Sequence, residues 1–467
     1  MACSSAAPKF TVHRRPAVLV APAAPTPREL KRLSDIDQED RLWCQFSNLH
    51  FYRRNESMGG KDPVGVIREA LAKALVPYYP FAGRLREYDG WKLAVDCTGE
   101  GVLFVEADAD VGLEHFGDTL LPPFPCLEEL IFDVPGSSAV LDTPLLLFQV
   151  SRLACGGFIL AVRVNHTMVD AQGLTQFLGA VAELARGMQA PSVLPVWKRE
   201  LLEGRNQQQL ALVVYDKLDE VPGKDTDTKA SSVMLPLDNA ALRLRSFFFG
   251  PREIAAIRAQ LPPHLQKRAT KFDAIAGWIW KFRTVALAPN PDEVMELLVN
   301  VNARGRKAGI PIGYYGNAFA FPAAISTARE LCTNPLSYAV ELVKKAKNQV
   351  DIEYMRSRVD LIALRRGRSP PITAGMYCLS DLTRARFDNL DFGWGKPVYG
   401  GPAPQAIGAT PSLPWLVGGR DEQVAAPISR CDPAAPASHV FCQEVSAMNN
   451  SPCVGAGYGQ NETSLSV

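Results

Sequence analysis

The chain has 467 residues, 47% of them hydrophobic and 21% charged, with a formal net charge of +1. That length exceeds one ordinary core and implies two domains of about 200 residues each. The near-zero charge excludes a global pull toward nucleic acid or anionic membrane, and no apolar run reaches the roughly 18 residues a bilayer span requires.

In chain order, KFTVHRRPAVLV alternates and is valine-rich, which predicts a strand. PAAPTPRE is a proline-rich loop, and LSDIDQED a polar turn or a site-lining loop. Asp62-Pro63 reads as an N-cap followed by proline in the first helical turn. Val64, Ile67, Ala70, Leu71, Ala74 and Leu75 follow at helical spacing until Pro77 stops the helix. FAGRLRE and WKLAVDC predict a hairpin, and GVLFVEADAD another strand. PLLLFQVSRLACGGFILAVRVNH predicts a second hairpin turning at Cys155-Gly156-Gly157. A helix follows, with Leu174, Phe177, Leu178, Val181 and Leu184 as its buried stripe. His166 therefore stands at a strand end, and Asp170 just before a helix.

From about 188 to 240 the pattern fades into proline-rich and then charged sequence, read as a long surface crossover. The second half restarts with a strand and helix in LRSFFFGPREIAAIRAQL and an apolar helix in KFDAIAGWIWKFRTVAL. VMELLVNVNARGR is a strand ending in arginines, and YYGNAFAFPAA a turn into an extended segment. Helices run on to Leu364, and MYCLSDLTRARFDNLDFGWGKPVYGG reads as short strands and turns. After Pro404 the sequence has little period and many small residues, as in a disordered end.

Ten cysteines lie from Cys3 to Cys453 without a CxxC pair or metal-like Cys/His spacing, so the expectation is free thiols and no metal. The opening residues hold no long apolar stretch, which predicts no signal peptide and a cytoplasmic protein.

A neutral imidazole can take a proton from an attacking hydroxyl or amine near neutral pH. His166 could do so toward an activated acyl group, with Asp170 either orienting the ring or holding the loop through an arginine. The blander alternative is a capping Asp170 beside a packed histidine. No GxSxG or Walker A loop offers a nucleophile or phosphate site. Asp391-Phe392-Gly393 matches the kinase metal triplet, but the glycine loop and His-Arg-Asp are absent. In DFGWG the glycines and Trp394 instead predict a tight turn beneath an indole. Arg304 and Arg306 could pair a carboxylate such as Asp170 or contact phosphate, or be solvated. The same alternatives hold for Lys267, Arg268 and Lys271 beside a helix start.

Together NHTMVDAQG, VNARGR, YYGNAFAFP and DFGWGKPVYGG, with LSDIDQED and LVPYYPFAGRLRE, resemble the signature set of the plant BAHD acyltransferases over residues 8–403. The wording is most similar to the benzyl alcohol benzoyltransferase and alcohol acyltransferase branch. Nonribosomal condensation domains share a related motif but double the histidine, where this chain has Asn165. The resemblance implies an α/β, chloramphenicol acetyltransferase-like fold of two domains, each a mixed sheet with flanking helices, and a channel at their interface. The expected domains are 1–187, a crossover at 188–240, and 241–403, with part of 370–403 pairing into the N-terminal domain. It implies acyl transfer from a coenzyme A thioester, benzoyl, acetyl or similar, to a small alcohol or amine by a monomer without a bound cofactor. N-acylation and hydroxycinnamoyl transfer remain open alternatives.

By the same resemblance His166 is the general base, and Asp170 pairs with Arg304 as support. Asp391, Gly393, Trp394 and Gly395 are structural, Thr383 faces the acyl carbonyl or oxyanion, and Thr270, Lys271 and Arg306 contact coenzyme A. The tail over 404–467 departs from the family, whose closing strands and final helix it does not match. A shifted reading frame or an alternative splice would explain this, and a non-catalytic or unstable binding protein is the corresponding alternative.

Overall fold

A computed structural model describes residues 10–88, 90–117, 120, 122, 124–205, 242–305, 309–370, 375–403, 415–418 and 424–431. The N-terminal half supplies β1 (Val12–Arg14), β2 (Val18–Val20), β3 (Leu30–Arg32) and β4 (Gln45–Tyr52). Next come α1 (Pro63–Ala74), β5 (Arg84–Tyr88), β6 (Lys92–Asp96), β7 (Val102–Ala109) and α2 (Leu127–Leu130). It closes with β8 (Leu146–Leu153), β9 (Phe158–Asn165) and α3 (Ala171–Ala185). The C-terminal half has β10 (Leu242–Phe249), α4 (Pro251–Ala259), α5 (Pro263–Arg268), α6 (Lys271–Leu287), β11 (Val294–Asn302), β12 (Phe319–Ala320) and β13 (Ala323–Thr327). There follow α7 (Ala328–Thr333), α8 (Leu336–Asn348), α9 (Ile352–Leu364), β14 (Met376–Asp381), β15 (Tyr399–Ala403), β16 (Trp415–Gly418) and β17 (Val424–Cys431).

The first sheet has the order β1-β7-β8-β9-β4-β15, with β2 also on β7. The expected α1 forms as its sequence directs: the Asp62 carboxylate accepts from Val64 N and Gly65 N, and its apolar stripe is buried. In β9 every residue is buried, which accounts for its continuous apolar run. Leu160, Val162 and Val164 pack with α1 and α3, while Ile159 and Ala161 join Leu49 and Phe51 in a second cluster. That double-sided burial makes the end of β9 a rigid base for the residues after Asn165.

The second sheet has the order β10-β17-β16-β14-β11-β12, with β13 on β11. Trp278 and Trp280 of α6 are sealed in its core. β15 crosses back and pairs antiparallel with β4, setting Gly401 opposite Leu49.

Three details differ from the sequence reading. The first strand is split into β1 and β2, because Pro16 has no N–H for the ladder. The crossover is not all surface: Arg199 and Leu202 are buried, and residues 206–241 lie outside the described ones. Finally, β16 and β17 occupy part of the segment expected to lack elements. β17 runs antiparallel along all of β10, and β16 lies parallel to β14. Ladders use backbone groups, so a segment without side-chain period can still complete an open edge.

Candidate active site

His166 follows β9 directly, and its backbone is fixed on both sides. Its N–H donates to Cys44 O at 2.8 Å. Its carbonyl accepts from Asn317 Nδ2 at 2.8 Å. The preceding Asn165 shapes the turn by accepting from Thr167 N and Thr167 Oγ1 at 3.1 and 2.8 Å. The imidazole lies against Phe46, ring centres 4.6 Å apart, and near Phe319 at 6.4 Å. The residue keeps some exposure, yet Nδ1 is buried without a hydrogen-bond partner. Burial pulls the imidazole below the ordinary histidine value; its own backbone, the Asp170 carboxylate, the Val169 backbone and Asn317 oppose this. The ring is therefore neutral at neutral pH.

Asp170 points away from that ring. It caps α3, accepting from Gly173 N at 2.9 Å, and also accepts from Ala318 N at 3.0 Å. Arg304 grips it bidentately, Nη1 to Oδ2 at 2.8 Å and Nη2 to Oδ1 at 2.9 Å. The rest of the Arg304 guanidinium donates to Tyr314 O, Gly316 O and Asn302 Oδ1. Both the capping role and the arginine pairing are thus present in one carboxylate.

A second buried set lies behind His166. Asp37 Oδ1 accepts from Asn317 N and Nδ2 at 3.0 and 2.8 Å. Its Oδ2 accepts from Ser34 N, Ser34 Oγ and Arg199 Nη1 at 3.0, 2.7 and 2.8 Å. Arg199 Nη2 in turn donates to Met168 O at 2.9 Å, inside the motif loop. Gly316 leaves room for that guanidinium: a Cβ there would lie 1.6 Å from Arg199 Nη1.

The other sequence-derived candidates are elsewhere. Asp391 Oδ1 accepts from Gly393 N at 2.7 Å and Gly395 N at 2.9 Å, and both glycines have positive φ. Trp394 stands edge-on to Phe158, ring centres 5.3 Å apart, and Arg186 donates to Asp391 O. Thr383 Oγ1 donates to Asp381 Oδ1, and no hydrogen bond joins it to His166. Thr270 caps α6, exchanging hydrogen bonds with Asp273. Lys347 bridges the same pair, reaching Asp273 Oδ1 at 2.6 Å and Thr270 Oγ1 at 3.4 Å. Lys271 opens that helix, and a groove of about 480 Å³ between α5 and α8 is lined by His264, Arg268, Glu341, Lys344 and Lys345. None of the groove's residues belongs to the His166 set. Arg306 lies outside the described residues.

The profile of the Transferase family matches residues 10–424. The chain is 56% identical over 405 residues to the benzyl alcohol O-benzoyltransferase of Petunia hybrida, covering 86% of each. The chain belongs to the Transferase family, the BAHD acyltransferases. It is 51% identical to the alcohol acyl transferase 1 allele GSd of Malus domestica, over 84% of this chain and 85% of that one. It is 50% identical to the 13-hydroxylupanine O-tigloyltransferase of Lupinus albus, over 84% and 85%. The fold is that of vinorine synthase, with a TM-score of 0.70 at 20% identity over 94% of this chain and 98% of that one. The F. sporotrichioides TRI101 complex with coenzyme A and T-2 gives 0.62 at 18%, over 90% and 97%.

For this BAHD chain, sequence reasoning missed Asp37, Asn317 and Arg199 as neighbours of the motif loop. Two carried a partial signal, since Asp37 lies in LSDIDQED and Asn317 in YYGNAFAFP. Arg199 carried none. Among the described residues no helix is long and apolar enough to cross a membrane.

Proposed function

We propose that the chain is an acyl-CoA-dependent O-acyltransferase that makes esters from a small alcohol, with His166 as general base. The observation carrying this reading is the neutral, partly accessible imidazole on a backbone clamped from two distant segments, by Cys44 and Asn317. Nε2 is assigned as the base, because Nδ1 is buried. It removes the alcohol proton as the oxygen attacks the thioester carbonyl. The resulting tetrahedral intermediate collapses with loss of the coenzyme A sulfur, which takes the proton back from the imidazolium. The identity to alcohol acyltransferases supports an oxygen nucleophile and a benzoyl-like or shorter acyl group.

Asp170, held by Arg304, is a positioning residue, and Asp391, Gly393, Trp394 and Gly395 hold a turn. Coenzyme A phosphates would meet Lys271 and the neighbouring Arg268, Lys344 and Lys345, while Thr270 remains a helix cap. Because the Thr383 hydroxyl is engaged by Asp381, the mechanism makes no use of it. The enzyme would act as a cytosolic monomer whose two lobes meet where Arg304, just past β11, and the Tyr314–Ala318 loop abut the His166 loop.

Purified protein given benzoyl-CoA or acetyl-CoA and benzyl alcohol should yield ester and free thiol in equal amounts. Removing a general base costs about 10²- to 10⁴-fold, so His166→Ala should lose at least that while its unfolding curve is retained. Undiminished turnover in this variant would refute the mechanism.

A further inference from the structure

The crossover between the two halves carries one charged residue that the mechanism leaves unused. Arg199 is 2% exposed, and Asp37 beside it is wholly buried. A buried ion pair is weak evidence for stability, because apolar residues of similar volume often serve as well. What the pair holds in place is therefore the better guide to its presence.

The Arg199 guanidinium divides itself between two partners. Nη1 donates to Asp37 Oδ2 at 2.8 Å, and Nη2 to Met168 O at 2.9 Å, two residues past His166. Asp37 in turn holds Asn317, whose Nδ2 donates to His166 O at 2.8 Å and Thr167 O at 3.4 Å. The carbonyls of His166, Thr167 and Met168 are thus all held by one buried set. Aromatic rings fix the plane of the guanidinium. Its Cζ lies 4.4 Å from the ring centre of Trp197, and 5.4 and 5.3 Å from those of Tyr314 and Tyr315. The crossover is pinned on either side of Arg199, by Val196 N to Gly313 O at 2.8 Å and Gly204 N to Asp35 Oδ2 at 2.7 Å.

Resting on the acyltransferase reading, we propose that Arg199 is a positioning residue, whose two-armed guanidinium ties the crossover to the loop after β9 and sets the His166 ring for proton removal. It acts through the backbone, since its hydrogen bonds go to Asp37 and Met168 and not to the ring. A displacement of about 1 Å in a reacting group can cost about 10²-fold in rate, so a small slip of this loop suffices. Lysine is no substitute, because an ammonium has neither the planar fork nor a face to lie between the rings.

Arg199→Met and Arg199→Lys are compared with wild type in ester formation from benzoyl-CoA and benzyl alcohol, with an unfolding curve for each. In both, kcat per folded molecule should fall about tenfold or more, while KM for either reactant changes far less. The His166 imidazole is also titrated by NMR in histidine-labelled protein, its signal assigned by its absence from His166→Ala. In Arg199→Lys its pKa should rise toward the ordinary histidine value, as a displaced ring gains water. Lysine keeps the positive charge, so this rise reports position. Unchanged kcat or an unmoved His166 pKa in folded variants, whatever the loss of stability, reduces Arg199 to a structural staple and overturns the proposal. Should the Arg199 variants not fold, Gly316→Ala decides. Its Cβ, 1.6 Å from Arg199 Nη1, must push the guanidinium aside, and wild-type kcat there overturns the proposal. Failure of the acyltransferase reading looks different, because wild type then makes no ester. The NMR titration alone then decides, and an unmoved His166 pKa overturns the positioning role.

Discussion

Two aspartates mark the two signature motifs, and they hold the molecule in different ways. Asp391 accepts from Gly393 N and Gly395 N, so it closes a turn within its own five residues. Asp170 accepts from Gly173 N beside it but also from Arg304 and Ala318, far along the chain. One carboxylate makes a local shape; the other sets the position of the C-terminal half against the histidine loop. The same residue type in two motifs therefore predicts different failures.

The largest effect is expected at Asp170. Asp170→Ala leaves the Arg304 guanidinium, mostly buried at 16% exposure, without its anion. Removing one partner of a buried ion pair costs about 3–5 kcal/mol. Urea unfolding should show that loss, and turnover per folded molecule should fall with it. A variant that unfolds like wild type would end the distinction between the two aspartates. Asn317→Ala comes next: Asp37 loses a buried donor and the His166 carbonyl loses its clamp. A buried group left unsatisfied costs about 1–3 kcal/mol, and kcat should fall more than KM rises. A change in KM alone would mean that Asn317 does not position the histidine.

These contacts also show which parts of the molecule were legible beforehand. The α1 cap, the buried stripe of α3 and the hairpin of β8 and β9 depend on residues within a few positions of one another, so local spacing reveals them. The Asp170–Arg304 pair was available only through resemblance, since spacing alone left capping and pairing as alternatives. The Arg199–Asp37–Asn317 set joins three segments, and its members are separated by 162 and 280 residues. No local pattern encodes such a set, and a buried arginine in a polar stretch reads as a solvated one. The strands β16 and β17 were missed for another reason: their place in the sheet is written in backbone pairing rather than in side-chain period.

Asp391→Ala should be milder. Two backbone N–H groups lose their acceptor, but the turn borders solvent that can replace it, so the expected cost is about 1–2 kcal/mol. Turnover per folded molecule should be retained. A variant that keeps its stability and loses kcat would give Asp391 a reach that its hydrogen bonds do not have.

The smallest effect is electrostatic and vanishes at neutral pH. The active form of His166 is neutral, so rate is lost as pH falls through its pKa. Burial sets that pKa below the ordinary histidine value, so the acid limb of kcat/KM should lie below that of an exposed histidine. The Asp170 charge opposes that depression by favouring the imidazolium. Asp170→Asn removes the charge and should move the acid limb further down. Asp391→Asn should leave the limb where it is, since Asp391 is not among the groups acting on the ring. Equal movement of the limb in both variants would mean that charge reaches His166 from the DFGWG turn as readily as from its own motif. The contrast between a local and a long-range aspartate would then fail for electrostatics, even if it held for stability.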